Sequence, residues 1–191
     1  GVTDAFVPTG GAAPGDRVVL TKAAGIEGTA ILASDFGDDL EVATDVRDRA
    51  EEFLTEVSVL EDARVLREYA SAMHDPTEGG VAAGLYELAR ASDVRLEIDR
   101  DAVPIREATR LLCDAAGVDP LRIFGSGAVL ATVPESDVDA ALDGLEATGH
   151  EAAAIGTVRE GDAVLELGDE TIREPVEDDL YPLWADADAE A

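Results

Sequence analysis

The chain has 191 residues, enough to bury a core within one domain. It carries 43 acidic residues against 14 basic ones, a net charge of −29, yet 46% of it is hydrophobic. Regular apolar spacing excludes a disordered acidic polymer, and the lack of a basic stripe to neutralise phosphates excludes a nucleic-acid partner.

Of the basic residues only Lys22 is a lysine. Acid excess and lysine depletion run along the whole chain and point to a surface adapted to very high salt. There the Debye length shrinks to roughly 3 Å and carboxylates keep the surface hydrated. The one cysteine, Cys113, can form no intrachain disulfide and belongs to no metal-binding cluster, so a cytoplasmic setting is expected. No run is apolar enough for a membrane span. No signal peptide is recognised, and a start at Gly1 instead of Met predicts a processed product or an expressed fragment.

Residues 1–16 are rich in Gly, Pro and Ala and are expected to be a linker or preceding-domain remnant, with a short strand over 5–7. The domain proper is placed at 17–175. A buried strand is predicted over 18–22 and a helix over 26–34, punctuated by Gly37. Apolar residues at helical spacing (Val46, Ala50, Phe53, Leu54) predict a helix over 44–54, and Ala63, Leu66 and Ala70 another over 60–70. A helix over 80–91 is the best defined. Val94-Arg95-Leu96-Glu97-Ile98 alternates strictly, as a strand with one wet face does. Pro104 and Gly117 are read as the start and end of a helix. A strand over 128–133 leads to a helix from Pro134 to near Gly149. Strands over 152–158 and 163–167 flank Glu160-Gly161-Asp162, a turn signal that predicts a hairpin. Residues 176–191 read as an acidic, weakly patterned tail. The sum is an α+β layered domain with a mixed β-sheet packed by helices.

The segment richest in chemistry is Met73-His74-Asp75-Pro76-Thr77-Glu78-Gly79-Gly80, leading directly into the 80–91 helix. Two readings stay open from the residues. In one, Thr77 or Asp75 caps the helix, the glycines admit a ligand to the backbone, and free N–H groups at the positive helix end face a phosphate or carboxylate. In the other it is a capped helix with a glycine turn. His74 is a general base or a satisfied side chain; Asp75 is a cap or a holder of magnesium or a donor group. Phe124-Gly125-Ser126-Gly127 is either a ligand-side turn or a bulge before a strand. Cys113, among apolar and acidic neighbours, reads as inert core.

Three stretches together resemble one superfamily. The Asp75-Pro76-Thr77-Glu78-Gly79-Gly80 segment is similar to the D-P-T-x-G-G segment in the second domain of HypE, the hydrogenase-maturation protein. Pro14-Gly15-Asp16-Arg17-Val18-Val19-Leu20, with the helix after Gly25, resembles the opening of that domain. Phe124-Gly125-Ser126-Gly127-Ala128-Val129-Leu130 resembles its later glycine turn. The superfamily also holds aminoimidazole ribonucleotide synthetase (PurM), selenophosphate synthetase and thiamine-monophosphate kinase. The resemblance implies a PurM-type C-terminal domain with partial ferredoxin-like character. It further implies ATP and Mg²⁺ bound mainly by an N-terminal domain, that domain as partner, a homodimer, and a hydrogenase-maturation-like partner. Asp75, Thr77, Gly79, Gly80, Gly125, Ser126 and Gly127 are then the expected substrate- and phosphate-side residues, with His74 and Asp75 as candidate catalytic groups and no metal site of this chain's own. HypE proteins carry a C-terminal cysteine that receives the carbamoyl group. This chain ends Trp184-Ala185-Asp186-Ala187-Asp188-Ala189-Glu190-Ala191, so with that end native the tail chemistry has no thiol. The expected function is the acceptor-side domain of an ATP-dependent enzyme that phosphorylates an oxygen-bearing acceptor, with a non-catalytic ligand-binding or scaffold module as the alternative. Valine at Gly79 or Gly80 is expected to impair binding more than folding.

Overall fold

A computed structural model of the chain describes residues 6–190, with side chains through Ala185. Seven strands form one mixed sheet: β1 (Asp16–Thr21), β2 (Ala72–His74), β3 (Arg95–Ile98), β4 (Leu130–Pro134), β5 (Ala152–Arg159), β6 (Val164–Leu167) and β7 (Glu170–Ile172). Their order across the sheet is β2-β4-β1-β5-β3-β6-β7. Only β3 and β6 pair in parallel; the other five pairings are antiparallel. The helices are α1 (Ile26–Phe36), α2 (Thr44–Glu51), α3 (Leu60–Leu66), α4 (Gly80–Ser92), α5 (Glu107–Ala116), α6 (Val138–Glu146) and α7 (Leu180–Glu190). This is the α+β architecture that the element order implies.

The alternation of β1 explains its place. Val18 and Leu20 join the core under α4, with Leu85 and Leu88. Val19 joins a second core with Leu66, Ala141 and Leu145 from α3 and α6. A strand buried on both faces has no wet side chains to alternate with, so it reads as a short apolar run. A third core brings α1, α2, α5 and α7 together around Leu32, Leu112, Ile123 and Leu180.

Several expectations are corrected. The 152–158 and 163–167 strands do not form a hairpin. β3 lies between them, antiparallel to β5 and parallel to β6, because Leu96 and Ile98 belong to the core under α4. The Glu160-Gly161-Asp162 turn instead arches over Arg95 at the start of β3. Among the described residues the one local hairpin is β6–β7. Pro104 does not start α5, which begins at Glu107 after an extended Arg106. Residues 104–106 run extended to give the Pro104 carbonyl to Ala24 N–H (2.9 Å) and to place Arg106 on Glu56 and over the Phe53 ring. The 44–54 helix tightens to a 3₁₀ turn over Glu52–Glu56. β2 has no counterpart among the predicted strands; three residues before a glycine loop are too few to show a period. The expected 5–7 strand begins outside the described residues, and Phe6 and Val7 are irregular. Residues 8–12 are laid on the fold: Met73 N–H donates to the Pro8 carbonyl, and the Gly11 and Ala12 N–H groups donate to Ser92 Oγ. Residues 176–185 are not a loose tail. Val176 packs on the main core, Asp178 and Leu180 are buried, and α7 follows.

Candidate functional site

β1 and β2 both run antiparallel to β4, their neighbour in the sheet, so their carboxyl ends lie beside the start of β4. Three loops therefore meet at one end of the sheet: 22–25 after β1, 75–79 after β2, and 117–129 before β4. They are knitted by main-chain hydrogen bonds. Gly28 N–H donates to the Phe124 carbonyl (2.8 Å), Gly125 N–H to the Thr77 carbonyl (2.9 Å) and Ala82 N–H to the Leu121 carbonyl (2.9 Å).

The glycines are required by this knitting. Gly79 and Gly80 have φ of 69° and 61°, in the left-handed region. A Cβ on Gly80 would meet the Ile123 and Leu121 carbonyl oxygens at 2.4 and 2.7 Å; one on Gly79 would meet the Val176 oxygen at 2.7 Å. At Gly125 it would sit 3.1 Å from the Pro76 oxygen, and Gly127 turns at φ 106° against Val57.

Three of the N–H groups around the α4 start have partners inside the chain. Gly80 N–H bonds the Thr77 carbonyl (3.1 Å), Ala82 N–H the Leu121 carbonyl, and Gly79 N–H the Asp178 carboxylate (2.8 Å). The cap is neither Thr77 nor Asp75. Thr77 is exposed, and its hydroxyl reaches only the Asp75 carbonyl at 3.3 Å. Asp178 instead reaches from 99 residues away to the N–H of Gly79, the residue before α4, and its other oxygen accepts Leu180 N–H (3.0 Å) at the start of α7. Burial pushes its carboxyl above the ordinary aspartate range; the two N–H bonds pull the other way and the Asp179 and Glu78 charges add to the rise.

His74 is a satisfied side chain. Its Nε2 lies 2.7 Å from Glu87 and its Nδ1 3.4 Å from the Thr9 hydroxyl. Asp75 opens to solvent. Partial burial of its carboxyl raises its pKa, His74 lowers it, and the Glu27 charge from α1 raises it further. The mouth of the loop cluster is thus acidic. Ser126, half-buried, sits in the turn between Gly125 and Gly127. Cys113 is buried and inert, its thiol pushed up to about 12 by burial and by the Asp119, Asp114 and Asp179 charges. Among the described residues no three metal-ligating side chains converge. With the Gly79, Gly80 and Ala82 N–H groups engaged and carboxylates at the mouth, few donors of this loop remain for the phosphates of a nucleotide.

Asp178 escaped sequence reading as a site residue. An aspartate two residues before an apolar run is an N-cap signal for α7, but its reach to Gly79 follows only from the fold. The aromatic wall beside the turn also went unread. Phe124 meets Tyr181 and Trp184 edge-on at 6.0 and 6.2 Å between ring centroids, and Trp184 donates to Asp35 (3.0 Å).

Residues 13–167 match the sequence profile of the AIR synthase related protein C-terminal domain. Carbamoyl dehydratase HypE of Azotobacter vinelandii is 33% identical over 151 residues, 77% of this chain and 42% of that protein. Thiamine-monophosphate kinase of Halobacterium salinarum is 31% identical over 173 residues, 88% of this chain and 57% of that protein. The crystal structure of hydrogenase maturation protein HypE in complex with ATP superposes with a TM-score of 0.65 at 27% identity, covering 86% of this chain and 52% of that one. The chain thus spans about two fifths of the length of the HypE relative. With the order of the three loops, the glycine positions and this match in agreement, the chain belongs to the AIR synthase related protein family, of which residues 13–167 form the C-terminal domain.

Proposed function

We propose that this chain is the acceptor-side domain of an ATP-dependent enzyme that activates an oxygen-bearing acceptor by phosphorylation. The observation that supports the reading is the loop cluster itself. Asp75, Thr77, Gly79, Gly80, Gly125, Ser126 and Gly127 gather at one sheet end, with the Asp75 and Glu27 carboxylates at the mouth. In this reading the nucleotide is held by a preceding domain, in line with the Gly79, Gly80 and Ala82 N–H groups already having partners. Asp75 and Ser126 orient the acceptor, and the glycine turns hold the wall close to it. The preceding domain is the first partner, a homodimer the assembly, and a hydrogenase-maturation protein a further partner, in line with the HypE likeness. The setting is a cytoplasm of high salt, in line with the charge of −29.

A non-catalytic ligand-binding or scaffold module is the second reading, favoured by the Asp178 carboxylate already occupying the Gly79 N–H. One experiment separates the two. The 191-residue chain and a longer protein carrying the upstream coding segment are assayed for ATP hydrolysis and ATP binding in molar KCl. The enzyme reading expects background turnover by the chain and ATP binding and turnover by the longer protein, lowered by Asp75→Asn. A longer protein that neither binds nor turns over ATP establishes the scaffold reading. Turnover by the chain alone, abolished by a substitution within it, would show the nucleotide site to lie here.

A further inference from the structure

The sole lysine of this chain is buried. Lys22 follows β1 at 5% exposure, and with Asp93 it is one of two non-glycine residues at positive φ among the described residues (φ 53°). Its Nζ donates to the carbonyls of Gly127 (2.7 Å), Ser58 (2.8 Å) and Glu56 (3.0 Å). Asp62, fully buried, brings Oδ2 to 3.2 Å of the same nitrogen. That contact is ionic, and the oxygen has no hydrogen-bond partner. Asp62 Oδ1 is fixed by His150 Nδ1 at 2.9 Å. The side chains of Lys22, Asp62 and His150 have no part in the proposed function.

A strained backbone and a buried charge are costly, and a buried ion pair is a weak source of net stability. What the arrangement supplies is position. The ammonium is compact and carries three donors, so it can draw three carbonyls to one point; a planar guanidinium cannot. One of those carbonyls ends the Gly125-Ser126-Gly127 turn and two belong to the bend after α2. The neighbouring residue works on the same segment: Thr21 N–H donates to the Val129 carbonyl (3.0 Å) and Thr21 Oγ1 accepts Val129 N–H (2.9 Å).

We propose that Lys22 is a positioning residue that fixes the glycine turn of the candidate site by clipping the Gly127 carbonyl to the 56–58 bend. The proposal rests on the reading that this turn lines the site, but its test does not use activity, so the two can fail separately. In a Cys113→Ala background, Lys22→Cys is alkylated while unfolded with 2-bromoethylamine, which restores an ammonium at lysine length, or with iodoacetamide, which does not. Both are refolded in molar KCl beside Lys22→Met and Lys22→Arg. The readouts are the ¹⁵N–¹H shifts and hydrogen exchange of Gly125 to Val129, against Leu85 and Leu88 in α4. We expect exchange in the turn to rise at least tenfold in the Met, Arg and iodoacetamide forms, with α4 unchanged, and the ammonium-restored form to recover native shifts and protection. An unchanged turn would overturn the proposal. So would loss spread evenly over turn and α4, or equal behaviour of the two alkylated forms, including equal failure to fold.

Discussion

Gly80→Ala is the sharpest test of the loop cluster. The new Cβ would stand 2.4 Å from the Ile123 carbonyl oxygen and 2.7 Å from that of Leu121. Neither is the end of a flexible side chain, and the Leu121 oxygen also accepts Ala82 N–H. The left-handed conformation at φ 61° adds about 1 kcal/mol for a residue with a Cβ, and forcing the loops apart adds about 1–3 kcal/mol. Together they give a loss of roughly 2–4 kcal/mol, with Gly80→Val at the upper end. Thr77→Ala, by contrast, removes an exposed hydroxyl with one long contact and should stay within about 0.5 kcal/mol. Urea unfolding at fixed molar KCl, followed by circular dichroism, measures both. The structure thus reverses the order expected from the motif: the glycine variants should fail in folding before they fail in binding. Gly80→Ala with wild-type stability would refute the close approach on which this account of the site depends.

Asp178→Ala leaves the Gly79 and Leu180 N–H groups without acceptors and should cost roughly 2–4 kcal/mol in the same urea assay. Because burial raises the folded-state pKa of Asp178, its contribution to stability is fully present below the unfolded aspartate pKa. It declines as pH rises through the folded value; Asp178→Asn should remove that dependence from the acid limb of a stability–pH profile. Cys113, with its thiol held near 12, should not react with Ellman's reagent in the folded chain and should react fully once unfolded. The charge of −29 should make cooperative folding depend on salt, so that lowering KCl from molar to millimolar abolishes the thermal transition seen by circular dichroism; a transition unmoved by salt would remove the high-salt account.

What the sequence disclosed and what it withheld divide along one physical line. The helices α1, α4 and α6 and the strand β3 announce themselves because their period and punctuation are local, as with Gly37 after α1 or the alternation of Arg95 to Ile98. The 75–80 and 124–127 motifs are legible as glycine-rich and, through the family resemblance, as substrate-side segments. Their mutual fit is not, because it depends on the β2-β4-β1 order. Thr77 stands at the right local spacing for a cap, whereas Asp178, the aspartate that holds the Gly79 N–H, arrives from the far end of the chain. The Glu160-Gly161-Asp162 turn misled for a similar reason. A turn signal states that the chain reverses, and is silent on whether another strand fits between the two arms.

That interposed strand has a kinetic consequence. Apart from β6–β7, every pairing in the sheet joins segments separated by other elements of the fold, and β1, which anchors the middle of the sheet, must wait for β4 and β5 near the other end of the sequence. Such a fold has high contact order, and loop closure must precede the contacts that reward it. β3, at the middle of the sequence, presents two unpaired edges until β5 and β6 have followed it. The acidic composition then has a use before the native state exists: dense like charge keeps those open edges apart from one another on neighbouring chains during the interval in which the sheet is still incomplete.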